Sequence, residues 1–315
     1  MGRYIARRVL WLFPVLFVIS IMTFALTKLV PGGPFNSEKT LPAEIIANLN
    51  RYYGLDQPVW KQYTDYMGLT RNPSGEFAGV LQGNFGPSYA SKSRTVNDII
   101  ADHLPVSAQL GAGALLISVG LGVPLGVLAA LKQNTIWDYG SMAVAIVGVS
   151  VPAIVSGPLL ILVFALTLGW FPVAGWGRLS QTIMPSFALG LGSMAVIARL
   201  TRASMLQVIH EDYIRTARAK GLGERAVMVR HALKNAFIPV ATILGPMFAA
   251  VMTGTFVIER IFAIPGLGKF FVSSITNRDV PVIMGTTLLY AIVLVVANLV
   301  VDITYAFLDP RIKYS

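Results

Sequence analysis

The 315-residue chain has no cysteine, only three histidines, and charged residues make up 13% of it. Without cysteine it can form neither disulfides nor thiolate metal sites. The few histidines, His103, His210 and His231, lie far apart, and the last two sit among cations, so no metal site is expected. Acidic residues number 15 against 25 basic ones. A net charge of +10 would suggest nucleic acid in a soluble protein, but a soluble domain carries about 25% charged residues. Here 55% of the chain is hydrophobic and mean hydropathy is +0.66, so an integral membrane protein is expected, its positive charge gathered in loops on the cytoplasmic face.

The usual catalytic signatures are missing as well. Gly266-Leu267-Gly268-Lys269 resembles the end of a phosphate loop, yet Phe270 follows the lysine where Ser or Thr is needed, so a plain turn is expected. No nucleophile-elbow or zincin motif occurs. The apolar runs hold essentially no ionisable residue at mid-depth; Asp302 lies near the inner end of the last one. No catalytic residue and no bound cofactor are expected. The chain has no evident energy source of its own.

What is present is a series of apolar runs. After the basic Arg3, Arg7 and Arg8, residues 9–30 are almost uncharged and long enough to cross a bilayer. That run exceeds a signal-peptide core and lacks a small-residue cleavage site, so residues 1–30 read as a cytoplasmic start and an uncleaved first span. Residues 31–103 form a polar outer region with helical potential at 42–53 and an aromatic cluster of Tyr52, Tyr53, Trp60, Tyr63 and Tyr66, which suits a membrane interface or a docking surface. Residues 104–315 then hold five more spans, at 104–131, 139–168, 182–198, 237–258 and 281–307. Gly122 and Gly126 in the second span have the spacing of close helix packing. Pro152 and Pro158 interrupt the third, as a packing kink or as a gating hinge. Residues 259–280 are expected outside. The fold class is therefore all-α, a polytopic protein with six membrane helices and both termini on the cytoplasmic side.

Between the fourth and fifth spans lies a basic amphipathic insert, within residues 199–236, carrying Arg215, Arg218, Lys220, Arg225, Arg230 and Lys234. At about 2.5–3.5 kcal/mol per cation at a bilayer centre, it must lie in water or against protein. Leu222, Ala226, Val229, Leu233 and Ala236 recur at helical steps, and Gly221 and Gly223 break the pattern ahead of them. A helix, a turn and a helix are expected, offering an apolar stripe to a partner.

Arg215-Thr216-Ala217 followed by Gly221 resembles the Glu-Ala-Ala loop of binding-protein-dependent ABC importers. Ala217, Gly221 and Leu233 agree with that pattern, while Arg215, Thr216, His231 and Lys234 depart from it. YIRTARAKGL with RHALKNAFIP is similar to the peptide branch of these permeases. So are PGGPF at 31–35, TLP at 40–42, LKQNTIWDY at 131–139, IPGLGKFF at 264–271, NRD at 277–279 and DPRIKY at 309–314. In order and together they cover most of the chain and resemble the B-type permease of an oligopeptide importer.

The resemblance implies the type I importer permease fold in a bacterial inner membrane. It implies a second homologous permease, two cytoplasmic ATPase subunits that bind the ATP, and a periplasmic peptide-binding protein as partners, with no nucleic acid. The coupling residues would be Arg215, Thr216, Ala217, Arg218, Gly221, Leu222, Gly223, Glu224, Arg225 and Val229. A path shared with the second permease would be walled by Met247, Phe248, Met252, Thr253 and Thr255, the methionines adapting to varied side chains; core packing is the competing role for each. Dipeptides, nickel chelates and glutathione remain alternative cargo, and a self-sufficient carrier or channel is the reading from another class.

Overall fold

The computed structural model describes residues 2–30, 32–35, 42–72, 75–91, 93–253 and 255–308, without side chains at 2–8, 253 and 302–308. Parts of the 31–35 and 40–42 stretches, the 309–314 stretch and the side chains of Arg3, Arg7, Arg8, Thr253 and Asp302 thus lie outside what is described. Among the described residues one 3₁₀ turn, Val80–Gln82, accompanies thirteen helices, in chain order α1 Gly2–Leu29, α2 Ala43–Tyr52, α3 Val59–Met67, α4 Val96–Leu131, α5 Ile136–Ser150, α6 Ala153–Thr167, α7 Leu179–Val208, α8 Asp212–Ala219, α9 Glu224–Ala236, α10 Ile238–Thr253, α11 Thr255–Ile261, α12 Gly268–Thr276 and α13 Val280–Leu308. Among the described residues four helices are long and apolar enough to cross a membrane, or up to six if each bent pair is one span. Without water to bond peptide groups, a helix satisfies its own backbone, which is why these runs fold this way.

The chain forms two compact units. One comprises Val106–Pro265 and Leu294 onward; the other comprises Gly2–Pro105 and Gly266–Val293. In the first, α7 is the central helix, with α5, α6 and α10 packed on it. Small residues permit the close approach. A methyl group built at Gly122 would lie 2.7 Å from the Met194 carbonyl oxygen, and one at Gly126 2.5 Å from that of Ala198. The helix occupying the fourth expected span starts three residues earlier and runs ten residues further than the apolar count of 182–198, because Thr201, Ser204 and Met205 are buried as well.

The third span is two helices rather than one. α5 and α6 meet at an angle of 108°. Pro152 excludes the helical conformation from Val151, which is extended at φ −97°, ψ 112°, and α6 then begins anew. Its last turns, Ile161–Thr167, are π-helical. A second break, of 49°, separates α9 from α10.

The second unit packs Val96, Ile99, Leu267, Val282 and Tyr290 into a core of its own. Tyr63 joins α3 to α1, its ring 5.3 Å from that of Phe24 and its hydroxyl 2.7 Å from Ser20 Oγ. Asp279, 2% exposed, accepts bonds from Ser88 Oγ at 2.5 Å and Ala90 N at 3.1 Å, which ties the loop before α4 to the start of α13. Of the expected aromatic cluster, Tyr63 and Tyr66 are drawn inward while Tyr52 and Trp60 stay exposed.

Candidate functional site

The basic insert begins where α7 ends. The Glu211 carbonyl accepts bonds from Ile214 N at 3.0 Å and Arg215 N at 3.3 Å, which starts α8. Asp212 in the first turn and Arg218 in the last complement the helix dipole. Gly221 then turns the chain at φ +79°, a left-handed conformation that costs a side-chain-bearing residue about 1–2 kcal/mol. A methyl group built there meets nothing within 4 Å, so the demand for glycine is conformational within this chain.

An apolar core holds the two helices together. Ile214 and Ala217 from α8 meet Val227, Met228, Ala232 and Ala236 from α9, with Met205 of α7 and Ala130 of α4 behind them. Two polar ties brace the outside. Asn235 Nδ2 donates to Tyr213 Oη at 2.7 Å, and the Arg218 guanidinium spans the turn to Glu224 at 2.7 and 3.2 Å. The two helices are thus held to each other by contacts within the chain.

Nine of the ten residues expected to meet a partner are exposed: Arg215, Thr216, Arg218, Gly221, Leu222, Gly223, Glu224, Arg225 and Val229. Ala217 alone faces inward, into the core just described. The apolar stripe needs correction. Leu222 and Val229 are 42% and 56% exposed, Ala226 and Leu233 are half-buried, and Ala236 is buried. Residues Val227–Leu233 form a π-helix, whose wider turn rotates later residues off the line drawn with an α-helical step. Val227, Met228 and Ala232, which helical spacing passed over, became the inner face instead.

The expected path residues divide differently. Met247 and Phe248 are half-buried on α10. Met252 and Thr255 are 2% and 0% exposed and so face no open space here. Gly111 lets α4 come close: a methyl group built on it would lie 3.1 Å from Met252 Cγ and 3.7 Å from Phe248 Cε2.

Two polar groups escaped the sequence reading. Glu259, expected to open the outer segment 259–280, lies within α11 at 2% exposure and accepts a bond from Ser107 Oγ at 2.6 Å. Asp138, also 2% exposed, receives Arg202 Nε and an Arg202 terminal nitrogen at 2.7 Å each and the Asn134 backbone N–H at 3.0 Å. A signal existed for the second, since Asp138 is the one carboxylate between His103 and His210. Among the described residues no group of three metal-binding side chains occurs.

Residues 122–314, which contain this loop and α10, match the model of the binding-protein-dependent transport system inner membrane component, and residues 1–111 match that of the N-terminal part of such membrane components. The chain belongs to this family. The permease is 45% identical to the dipeptide transport system permease protein DppB of Bacillus subtilis, over 99% of this chain and 98% of that one. It is also 45% identical to the oligopeptide transport system permease protein OppB of Salmonella typhimurium, over 100% of both. Among solved structures, the inward-facing MetNI methionine ABC transporter aligns with a TM-score of 0.53 at 17% identity, covering 67% of this permease and 96% of that chain. At that identity the likeness concerns the fold, that of a type I importer permease. The permease is a multi-pass inner-membrane subunit of an ABC importer.

Proposed function

We propose that this permease forms half of the path of an ATP-driven oligopeptide importer and takes its driving force through the 209–236 loop. The observation that carries the proposal is a loop stiffened by its own core while Leu222, Val229 and a set of cations stay exposed on it. An apolar anchor of this size stabilises a complex by about 1.5–3 kcal/mol when buried, and a stiff lever transmits the closure of its partner as rigid-body motion. The partners are two ATPase subunits, which bind the ATP, a second homologous permease and a periplasmic peptide-binding protein. The basic loop and both termini face the cytoplasm, and residues 31–103 face outward. Met247 and Phe248, the expected wall residues with exposed surface, contribute to the path. The cargo reading rests on full-length relatives named for oligopeptide and dipeptide transport.

The test is reconstitution of the permease with these partners in vesicles. Peptide-loaded binding protein is expected to stimulate ATP hydrolysis and peptide uptake together. Gly221→Val, whose side chain has open space but a strained backbone, is expected to assemble yet hydrolyse ATP without uptake. Uptake at the unmodified rate in that variant would overturn the role of the loop, and stimulation by nickel chelates or glutathione in place of peptides would overturn the cargo.

A further inference from the structure

In the second unit a cavity of about 200 Å³ opens among Lys28, Gln62 and the rings of Tyr52, Tyr53, Tyr66 and Tyr89. Its polar groups are unevenly partnered. Asp65 is matched by Lys61 at 3.2 Å and by the Thr70 hydroxyl, and Asp279 by the Ser88 hydroxyl and the Ala90 N–H. Lys28 has no carboxylate partner among the described residues. Its ammonium donates to Gln62 Oε1 and lies 5.1 Å from the centre of the Phe24 ring. The Tyr66 hydroxyl is shielded from solvent and has no hydrogen-bond partner among the described residues. An unpartnered buried hydroxyl is costly, and such a group in a native fold calls for a ligand, an ion or a water. The groups with spare capacity are thus donors, one of them charged, while Asp65, the carboxylate among the lining residues, is already paired. An ammonium beside a free hydroxyl suits a carboxylate.

We propose that this cavity binds the carboxylate end of a short peptide, with Lys28 holding the carboxylate and the tyrosine rings enclosing the last side chain. Whole drug-sized ligands occupy pockets of about 300–1,000 Å³, so a smaller cavity takes a peptide's terminal residue and leaves the remainder outside. Tyrosines suit this work, since each offers a broad apolar face and few rotatable bonds. The inference rests on the reading of the cargo as peptide.

The test uses the assembled importer in nanodiscs without its binding protein, titrated calorimetrically with the tripeptide Ala-Ala-Phe and with its C-terminal amide. The free acid is expected to bind about tenfold tighter than the amide, the loss of one charged hydrogen bond. Lys28→Met is expected to erase that difference, Lys28→Arg to keep most of it, and Tyr66→Phe to weaken the acid form several-fold. Equal affinities for acid and amide, or a preference that survives Lys28→Met, would overturn the site. Competition by phosphatidylglycerol with no response to peptide would overturn it too, in favour of a lipid phosphate. Uptake by the complete assembly separates the two readings: normal peptide uptake with no acid preference removes only this site, whereas acid-selective binding with no uptake removes the cargo reading.

Discussion

Two arginine–carboxylate pairs in the first unit have nearly the same geometry and opposite surroundings. Arg202 grips Asp138 through two nitrogens at 2.7 Å, and Arg218 grips Glu224 through two nitrogens at 2.7 and 3.2 Å. The first pair is 28% and 2% exposed, the second 43% and 62%. Coulomb attraction grows as water is excluded, but so does the cost of leaving one charge alone. The buried pair therefore specifies how α5 meets α7, while the exposed one braces a turn that Gly221 already dictates. A left-handed Asn134, at φ +60°, brings its own N–H to Asp138 and completes the buried set.

The largest effect is expected from breaking the buried pair. Arg202→Ala leaves the Asp138 carboxylate uncompensated and is predicted to destabilise the permease by about 3 kcal/mol, the lower end of the range for such pairs because Arg202 keeps some exposure. Thermal unfolding in detergent reads this as a lowered midpoint. Replacing both residues by leucine is expected to restore most of the loss, since no charge is then stranded. If Arg202→Ala melts no lower than Arg218→Ala, the contrast between the two regions is wrong.

A second prediction extends the comparison to uncharged buried groups. Burial holds the Tyr66 and Tyr89 hydroxyls well above the ordinary tyrosine range, with the Asp279 carboxylate opposing their ionisation as a smaller influence. The sign follows from proton counts. With folded values raised, both states keep these protons below about pH 10, whereas above it the unfolded chain releases them and the folded chain does not. Stability is thus intact at neutral pH and falls by about 1.4 kcal/mol per hydroxyl for each pH unit above 10. Phenolate absorbance at these positions should appear only together with unfolding. In Tyr66→Phe/Tyr89→Phe the alkaline slope should be shallower, and an unchanged slope would place the loss elsewhere.

Much of this was legible in the residue order, and the exceptions share a cause. Hydropathy accumulates along the chain, so the long apolar runs announced their helices, and the glycine pair at Gly122 and Gly126 announced a close neighbour. The turn at Gly221 was equally plain. Contacts between distant residues were not. Asp138 finds its partner 64 positions away, so it looked like a loop residue, and Glu259 looked external until Ser107 of α4 covered it. Pro152 told where the third span breaks, but the 108° bend depends on the packing of α6 against α7. The π-turn in α9 redirected the apolar stripe because one added residue per turn is invisible to a 3.6-residue period.

The smallest effect belongs to the exposed pair, and it is the one that isolates the loop's work from its folding. Arg218→Ala removes a guanidinium that water already surrounds, so the melting midpoint should stay where it is at physiological ionic strength. The core of Ile214, Val227 and Met228 holds the two helices without it. In low salt, where screening is weak, a small downward shift should emerge and then vanish as salt is restored. Uptake by the reconstituted importer should nevertheless fall if the guanidinium meets the ATPase, because a side chain already in place contributes to docking with little ordering cost. A midpoint that drops as far as that of Arg202→Ala would show the turn to be held by charge rather than by its apolar core. Uptake that is unaffected at every salt concentration would remove Arg218 from the docking face while leaving Leu222 and Val229 on it.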